Sequence, residues 1–390
     1  VEEAISEIFE LVQIKQRLSG IRIAVVGCLV QRYKEQLAED LPEIDLFVGT
    51  EAAPDLAMII AKLDDGSLES RVVLPERSLM NSSMPRVVST PPFRSLMKIT
   101  EGCSNNCSYC MIPSIRGPLR SRPIPDLVQE AVNLENYGVK ELSLIAQDST
   151  AYGNDLSEAT TLVELLSTLL QRTAIPWFRL LYLYPSGVSD ELLQLMADEP
   201  RIVPYFDIPF QHVNDRILKR MNRHYSSNHL YDLVAKARSI MPDIALRTTF
   251  LVGFPGETES AFLEIEAFLR KTQIDHVGVF PYANEEGSPS EFFQDQLSTE
   301  EKQKRCDYLL QVQAELSTEI QTKYIGRVED VLVEGVSEET DLLLEGRTRY
   351  QAHDVDGCVY INDGIASPGD IVKVKITDTQ IYDLVGGIIN

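Results

Sequence analysis

SLMKITEGCSNNCSYCMIP, residues 95–113, places three cysteines directly behind a strand. SLMKIT (95–100) reads as that strand, and the Gly-, Ser- and Asn-rich run after it reads as a short loop. Further along the chain, five more strand candidates follow: ELSLIAQ (141–147), FRLLYLY (178–184), YFDIPFQ (205–211), RTTFLVGF (247–254) and HVGVFPYA (276–283). Helical segments lie between them, among them 125–137, 160–172, 227–240 and 258–272. Six consecutive β/α units predict an α/β fold, a partial (β/α)6 TIM-like barrel. In such folds the active site lies at the carboxyl ends of the strands. The polar and special residues gather there: Glu101 to Cys110, Gln147 and Asp148, Gln211 and His212, and Gly253 to Glu257.

The flanks have different textures. Residues 1–85 read as a truncated α/β unit. A helix (2–18) leads to the strand IRIAVVG (21–27), with Cys28 at its carboxyl end. A helix (30–40), the strand IDLFVG (44–49) and a helix from Pro54 to about 63 follow. Residues 75–93, rich in Pro and Ser, read as a linker. Beyond the barrel a long helix (298–324) precedes VEDVLVEG, LLLEGRT, CVYIND and IVKVKITD, short β segments that predict a small antiparallel β barrel. The expected domains are therefore 1–85, 86–324 and 325–390.

With 390 residues, 44% apolar and 24% charged, the composition is that of an ordinary globular protein of two or three domains. No apolar run approaches the roughly 18 residues of a membrane span. The first residues lack a secretion signal. A cytoplasmic protein without membrane contact is expected. Lys and Arg number 36 against 59 Asp and Glu, a net charge of −23. Such a chain repels phosphate polymers and favours a basic partner or a small molecule; plain solubility is the unspecific alternative.

Six cysteines are present: Cys28, Cys103, Cys107, Cys110, Cys306 and Cys358. Cys103, Cys107 and Cys110 form CxxxCxxC. Three thiolates on a short loop can each bind one iron of a 4Fe–4S cluster, leaving one iron open to N and O donors. Zinc competes, but a structural zinc wants four ligands and no fourth Cys or His is close in sequence. A disulfide plus a free thiol is the other alternative. Cys306 and Cys358 read as plain thiols.

CxxxCxxC behind the first strand of a partial barrel, with Tyr109 before the third cysteine, resembles the radical S-adenosylmethionine superfamily. GCLVQRY (27–33), ITEGCSNNCSYCMIPSIRGPLRSR (99–122), VGFPGET (252–258) and the terminal barrel further resemble its methylthiotransferases, which carry a terminal TRAM domain. AQDSTAYG (146–153) and RTRYQAHDVDG (347–357) resemble the RimO-type branch. The resemblance implies S-adenosylmethionine on the open iron, one-electron cleavage to a 5′-deoxyadenosyl radical, and methylthiolation of an aspartate β-carbon in ribosomal protein S-twelve. It implies two 4Fe–4S clusters in the intact family, of which this chain fully ligates one: of the second cluster's three cysteines only Cys28, in VVGCLVQR, is matched, as the last. It further implies an electron donor such as flavodoxin or ferredoxin, and a sulfur donor.

Residues 326–390 hold 13 acidic and five basic residues, a net of −8. That suits a basic ribosomal protein better than tRNA. The alternatives are tRNA adenosine methylthiolation and, from another class, a non-catalytic iron–sulfur scaffold.

Gly253, Gly256 and Glu257 read either as a turn bringing backbone close to the cofactor or as an ordinary strand-to-helix turn. Gln147, Asp148 and Gln211 read as ribose partners or as generic rim polarity. Arg116, Arg120 and Arg122 read as cofactor or cluster partners or as a salt-bridged surface.

Overall fold

The computed structural model describes residues 1–84, 86, 88–158 and 160–389. The amino-terminal unit holds three parallel strands, β1 (Ala24–Val26), β2 (Leu46–Val48) and β3 (Val72–Val73), in that order. The first strand is shorter than its apolar run suggests. Gly27 turns the chain at φ 126°, and Cys28 starts the helix Cys28–Asp40 instead of trailing the strand. That helix is interrupted at Lys34, φ 51°. The expected boundary at residue 85 lies outside the described residues.

The central unit carries six parallel strands: β4 (Arg94–Lys98), β7 (Glu141–Ile145), β8 (Trp177–Leu180), β9 (Tyr205–Asp207), β10 (Ala245–Val252) and β11 (His276–Pro281). A two-stranded hairpin, β5 (Thr100–Glu101) with β6 (Arg120–Ser121), frames the cysteine loop. The six run as β4-β7-β8 and β9-β10-β11, joined where Phe178 bridges Ile202 and Leu183 N–H donates to the Asp207 carbonyl. All six predicted strands are present in this order. Alternation sorts their side chains. Leu246, Phe250 and Val252 pack outward into the main core under the helices, while Arg247 and Thr249 point inward.

The helices are explained by their own sequences. In Leu162–Arg172, leucines 162, 165, 166, 169 and 170 form one buried stripe, and Thr161 caps it by accepting from Glu164 N–H. Each buried leucine contributes about 1.5–3 kcal/mol. Two shorter helices, Asp190–Asp198 and Asp215–Arg220, complete the units.

The carboxyl-terminal unit is a closed barrel ordered β12-β13-β14-β16-β15: β12 (Val328–Val336), β13 (Leu344–Thr348), β14 (Val359–Asp363), β15 (Ile371–Thr379), β16 (Leu384–Ile388). Four pairings are antiparallel, and β14 with β16 is parallel. Five strands around a ring cannot alternate direction throughout, so one parallel pair is unavoidable. The sequence reading found four of these strands and missed β16.

This barrel seats on the amino-terminal ends of the central strands. Glu141, first residue of β7, accepts from Arg179 Nε (2.5 Å) and from Arg347 Nη2 of β13 (2.7 Å), and all three side chains are buried. Phe93, Trp177, Leu181 and Tyr205 pack there against Leu332 and Ala352. The terminal barrel thus closes the end of the central barrel opposite the strands' carboxyl ends. Among the described residues no helix is long and apolar enough to cross a membrane.

Candidate active site

Cys103, Cys107 and Cys110 all line one cleft of about 300 Å³ at the carboxyl ends of the strands. Tyr109, Gln147, Gln211, Tyr182, Tyr184 and Arg223 share its wall. The loop bearing the trio is clamped. Ser108 N–H donates to the Met221 carbonyl (3.0 Å) and Ser108 Oγ to that of Arg220 (2.8 Å). Asn222 Nδ2 donates to the Asn106 carbonyl (2.8 Å), and Cys103 N–H to that of Gly117 (3.1 Å). Gly102 enters this loop at φ 78°, where a Cβ would overlap the carbonyl oxygens of Gly117 and Pro118.

The thiols are free, and burial pushes those of Cys103 and Cys110 up. The trio offers three thiols in one cleft, the number that binds three irons of a 4Fe–4S cube and leaves the fourth open. Gln147 Oε1 is buried and has no partner among the described residues, an acceptor left open in the cleft wall. With three thiols and this acceptor in one cleft, the residues present fit a cluster plus a small polar ligand.

Four residues around the loop and cleft are held at positive φ without being glycine: Asn106 (52°), Tyr182 (60°), Gln211 (67°) and Asn222 (56°). Strain of about 1–3 kcal/mol each persists only where surrounding structure over-determines it. Gln211 is fixed by donating from its N–H to the Thr249 carbonyl (2.8 Å) and accepting from Leu251 N–H (2.8 Å). Tyr109 packs edge-on against Phe254, centroids 6.4 Å apart.

Asp148 stands behind the wall. It accepts from Asn105 Nδ2 (2.6 Å), Thr150 N–H and Ala151 N–H, capping the short turn Ser149–Ala151. Gly253, Gly256 and Glu257 are not among the cleft residues. Glu257 is buried, accepts from Gly253 N–H (3.1 Å) and Arg305 Nη1 (2.5 Å), and lies 3.2 Å from His212 Nε2. It pins the turn from inside, and burial, which opposes its charge, is outweighed by His212 and Arg305 so that its carboxyl stays below the usual range.

The arginines are paired. Arg120 meets Glu51 (3.1 Å), and Arg122 is buried against Asp126 (2.7 Å) and Glu130 (2.6 Å). Arg116 lies between Glu101 (3.4 Å) and Cys28, whose exposed Sγ accepts from its Nη2 at 3.3 Å. Arg32 of the same amino-terminal helix meets Glu285 (2.7 Å) in the segment after β11. Cys28 is thereby carried to the rim beside the trio's loop.

The sequence reading missed Arg223, Tyr182 and Tyr184, and it gave Asn105 no role of its own within Glu101 to Cys110. Nothing in MNRHY or LLYLY marks the first three, because their partners lie far away in the chain.

Residues 97–269 match the radical SAM superfamily model and residues 325–389 that of the TRAM domain. The chain is 62% identical to "Ribosomal protein uS12 methylthiotransferase RimO" of Desulfotalea psychrophila, over all of this chain and 88% of that protein. The chain belongs to the RimO methylthiotransferase family. The RimO of Geotalea uraniireducens is 46% identical over all of this chain and 87% of its own length. Among solved structures, the radical S-adenosylmethionine methyltransferase TsrM of Kitasatospora setae aligns with a TM-score of 0.55 at 17% identity, covering 70% of this chain and 58% of TsrM, a likeness of fold alone. As a RimO-family chain this is a radical SAM transferase, and the family implies a 4Fe–4S cluster and S-adenosylmethionine.

Proposed function

We propose that this chain adds a methylthio group to the β-carbon of an aspartate in ribosomal protein uS12. The 62% identity to a RimO over all of this chain and 88% of that protein carries the reading. The net charge of −8 in residues 326–390 supports it, since an acidic module steers a basic ribosomal protein and repels tRNA.

Cys103, Cys107 and Cys110 hold the radical cluster. When bound, the cluster and S-adenosylmethionine together supply one-electron cleavage of a sulfonium bond and hence a carbon-centred radical. The protein's own contribution is placement. Gln147 Oε1 offers its open acceptor to a hydroxyl of the ligand's ribose, Gln211 is held rigidly at the fourth strand's exit, and Tyr109, Tyr182 and Tyr184 narrow the cleft against water. Asp148, Gly253, Gly256 and Glu257 hold the loops that carry these groups. Cys28 is one ligand of the family's second, auxiliary cluster, with Arg116 beside its sulfur, and is the single cysteine of that cluster's three that this sequence matches. A flavodoxin- or ferredoxin-type donor and a sulfur donor complete the reaction in the cytoplasm.

Anaerobically reconstituted protein, given S-adenosylmethionine, dithionite, sulfide and purified uS12, is expected to form 5′-deoxyadenosine. A uS12 peptide should gain the mass of one methylthio group on an aspartate. Modification of bulk tRNA with uS12 unchanged would overturn the substrate. Absence of 5′-deoxyadenosine from protein holding a full cluster would favour a scaffold.

A further inference from the structure

Among the described residues Arg223 is the one arginine of the cleft wall, and each of its three nitrogens donates. Its Nε donates to Tyr225 Oη (2.5 Å), Nη2 to the Pro209 carbonyl (2.6 Å), and Nη1 to Cys107 Sγ (3.5 Å). Its guanidinium carbon lies 4.3 Å from the Tyr184 ring centre and 5.1 Å from that of Tyr225. No carboxylate pairs with it among the described residues, in a chain where Arg116, Arg120, Arg122, Arg179 and Arg247 all have one. A guanidinium does not lose its proton in a protein, so a full positive charge rests unneutralised beside a ligand sulfur.

We propose that Arg223 raises the reduction potential of the radical cluster by donating to Cys107 and lending it a nearby positive charge. The proposal rests on the reading that the trio holds a 4Fe–4S cluster. Three thiolates on an oxidised 4Fe–4S cube give a net single negative charge; one electron from an external reductant makes it two, with no bond made or broken. A fixed cation and an N–H···S hydrogen bond both stabilise the more negative state, and these are levers by which proteins set such potentials. The aromatic cage holds the cation without quenching it as a carboxylate would.

The test is a potentiometric titration of the anaerobically reconstituted protein, with the reduced cluster read by electron paramagnetic resonance. Where the native cluster is half reduced, the reduced-to-oxidised ratio of Arg223→Gln is expected to fall at least tenfold, a shift of about 59 mV or more to lower potential. Arg223→Lys, which keeps the charge, is expected within threefold of native. A merely structural tether would leave the potential of any iron-loaded variant unmoved. The proposal is overturned if iron-loaded Arg223→Gln titrates within threefold of native, or if Arg223→Lys falls tenfold. If Arg223→Gln does not retain iron, Arg223→Met, which also removes the charge, takes its place under the same two thresholds. Failure of the cluster reading itself would show separately, as native protein without iron.

Discussion

Glu141→Gln is expected to cost about 3–5 kcal/mol and to loosen the terminal barrel from the central one. Among the described residues the substitution strips buried Arg179 of its carboxylate and leaves buried Arg347 with Glu334 alone, and breaking a buried pair from one side costs that much. Trp177, the chain's only tryptophan, is buried in this junction, so its fluorescence during urea unfolding reports the loss. The same carboxylate sets a pH dependence. Burial pushes the Glu141 carboxyl up, but Arg179 and Arg347 outweigh it and hold it down to about 2. An unfolded glutamate titrates near 4.3. The stabilisation is therefore fully present above about 4.3 and is lost as pH falls towards 2, on the order of 3 kcal/mol. Glu141→Gln should flatten the stability profile in that window. An unchanged urea midpoint, or an unchanged acid limb, contradicts the junction described here.

Gly102→Ala is expected to lower iron incorporation more than tenfold while leaving the helical signal of the chain near native. The new Cβ would meet two backbone carbonyls, of Gly117 and Pro118, that have no rotamer to yield. The left-handed φ adds about 1–3 kcal/mol of strain, and overpacking adds a similar amount. The cheapest relief is to move the loop, which breaks the Cys103 to Gly117 hydrogen bond and shifts the first sulfur. Gly138→Ala, at a helix end where a Cβ meets nothing, is the control: it carries a comparable φ penalty but leaves iron content unchanged. Native iron content in Gly102→Ala contradicts the loop's rigid role.

What the sequence disclosed follows from where the physics is local. The six central strands were legible because short apolar runs alternate with amphipathic helices such as Leu162–Arg172. The cysteine trio was legible because its three ligands share one loop. β16 was missed because LVGGI carries two glycines, poor strand formers that here serve close approach; a Cβ on Gly386 would overlap the Lys375 carbonyl. Glu257 left its turn open to both readings, cofactor turn or ordinary strand-to-helix turn, because its partners, His212 and Arg305, come from 45 and 48 residues away. Arg347 reaches Glu141 across 206 residues, and Arg223 reaches Cys107 across 116. No periodicity or motif encodes such pairings, so the junction and the caged arginine emerged only from the fold.

The account depends most on Cys103, Cys107 and Cys110 holding an iron–sulfur cube. Iron and sulfide assay of anaerobically reconstituted protein, with the visible spectrum, tests it directly against Cys103→Ala/Cys107→Ala/Cys110→Ala. Removing the trio is expected to cost about four irons per chain and the brown absorbance that belongs to that site. An iron content and spectrum identical in the two proteins would contradict it.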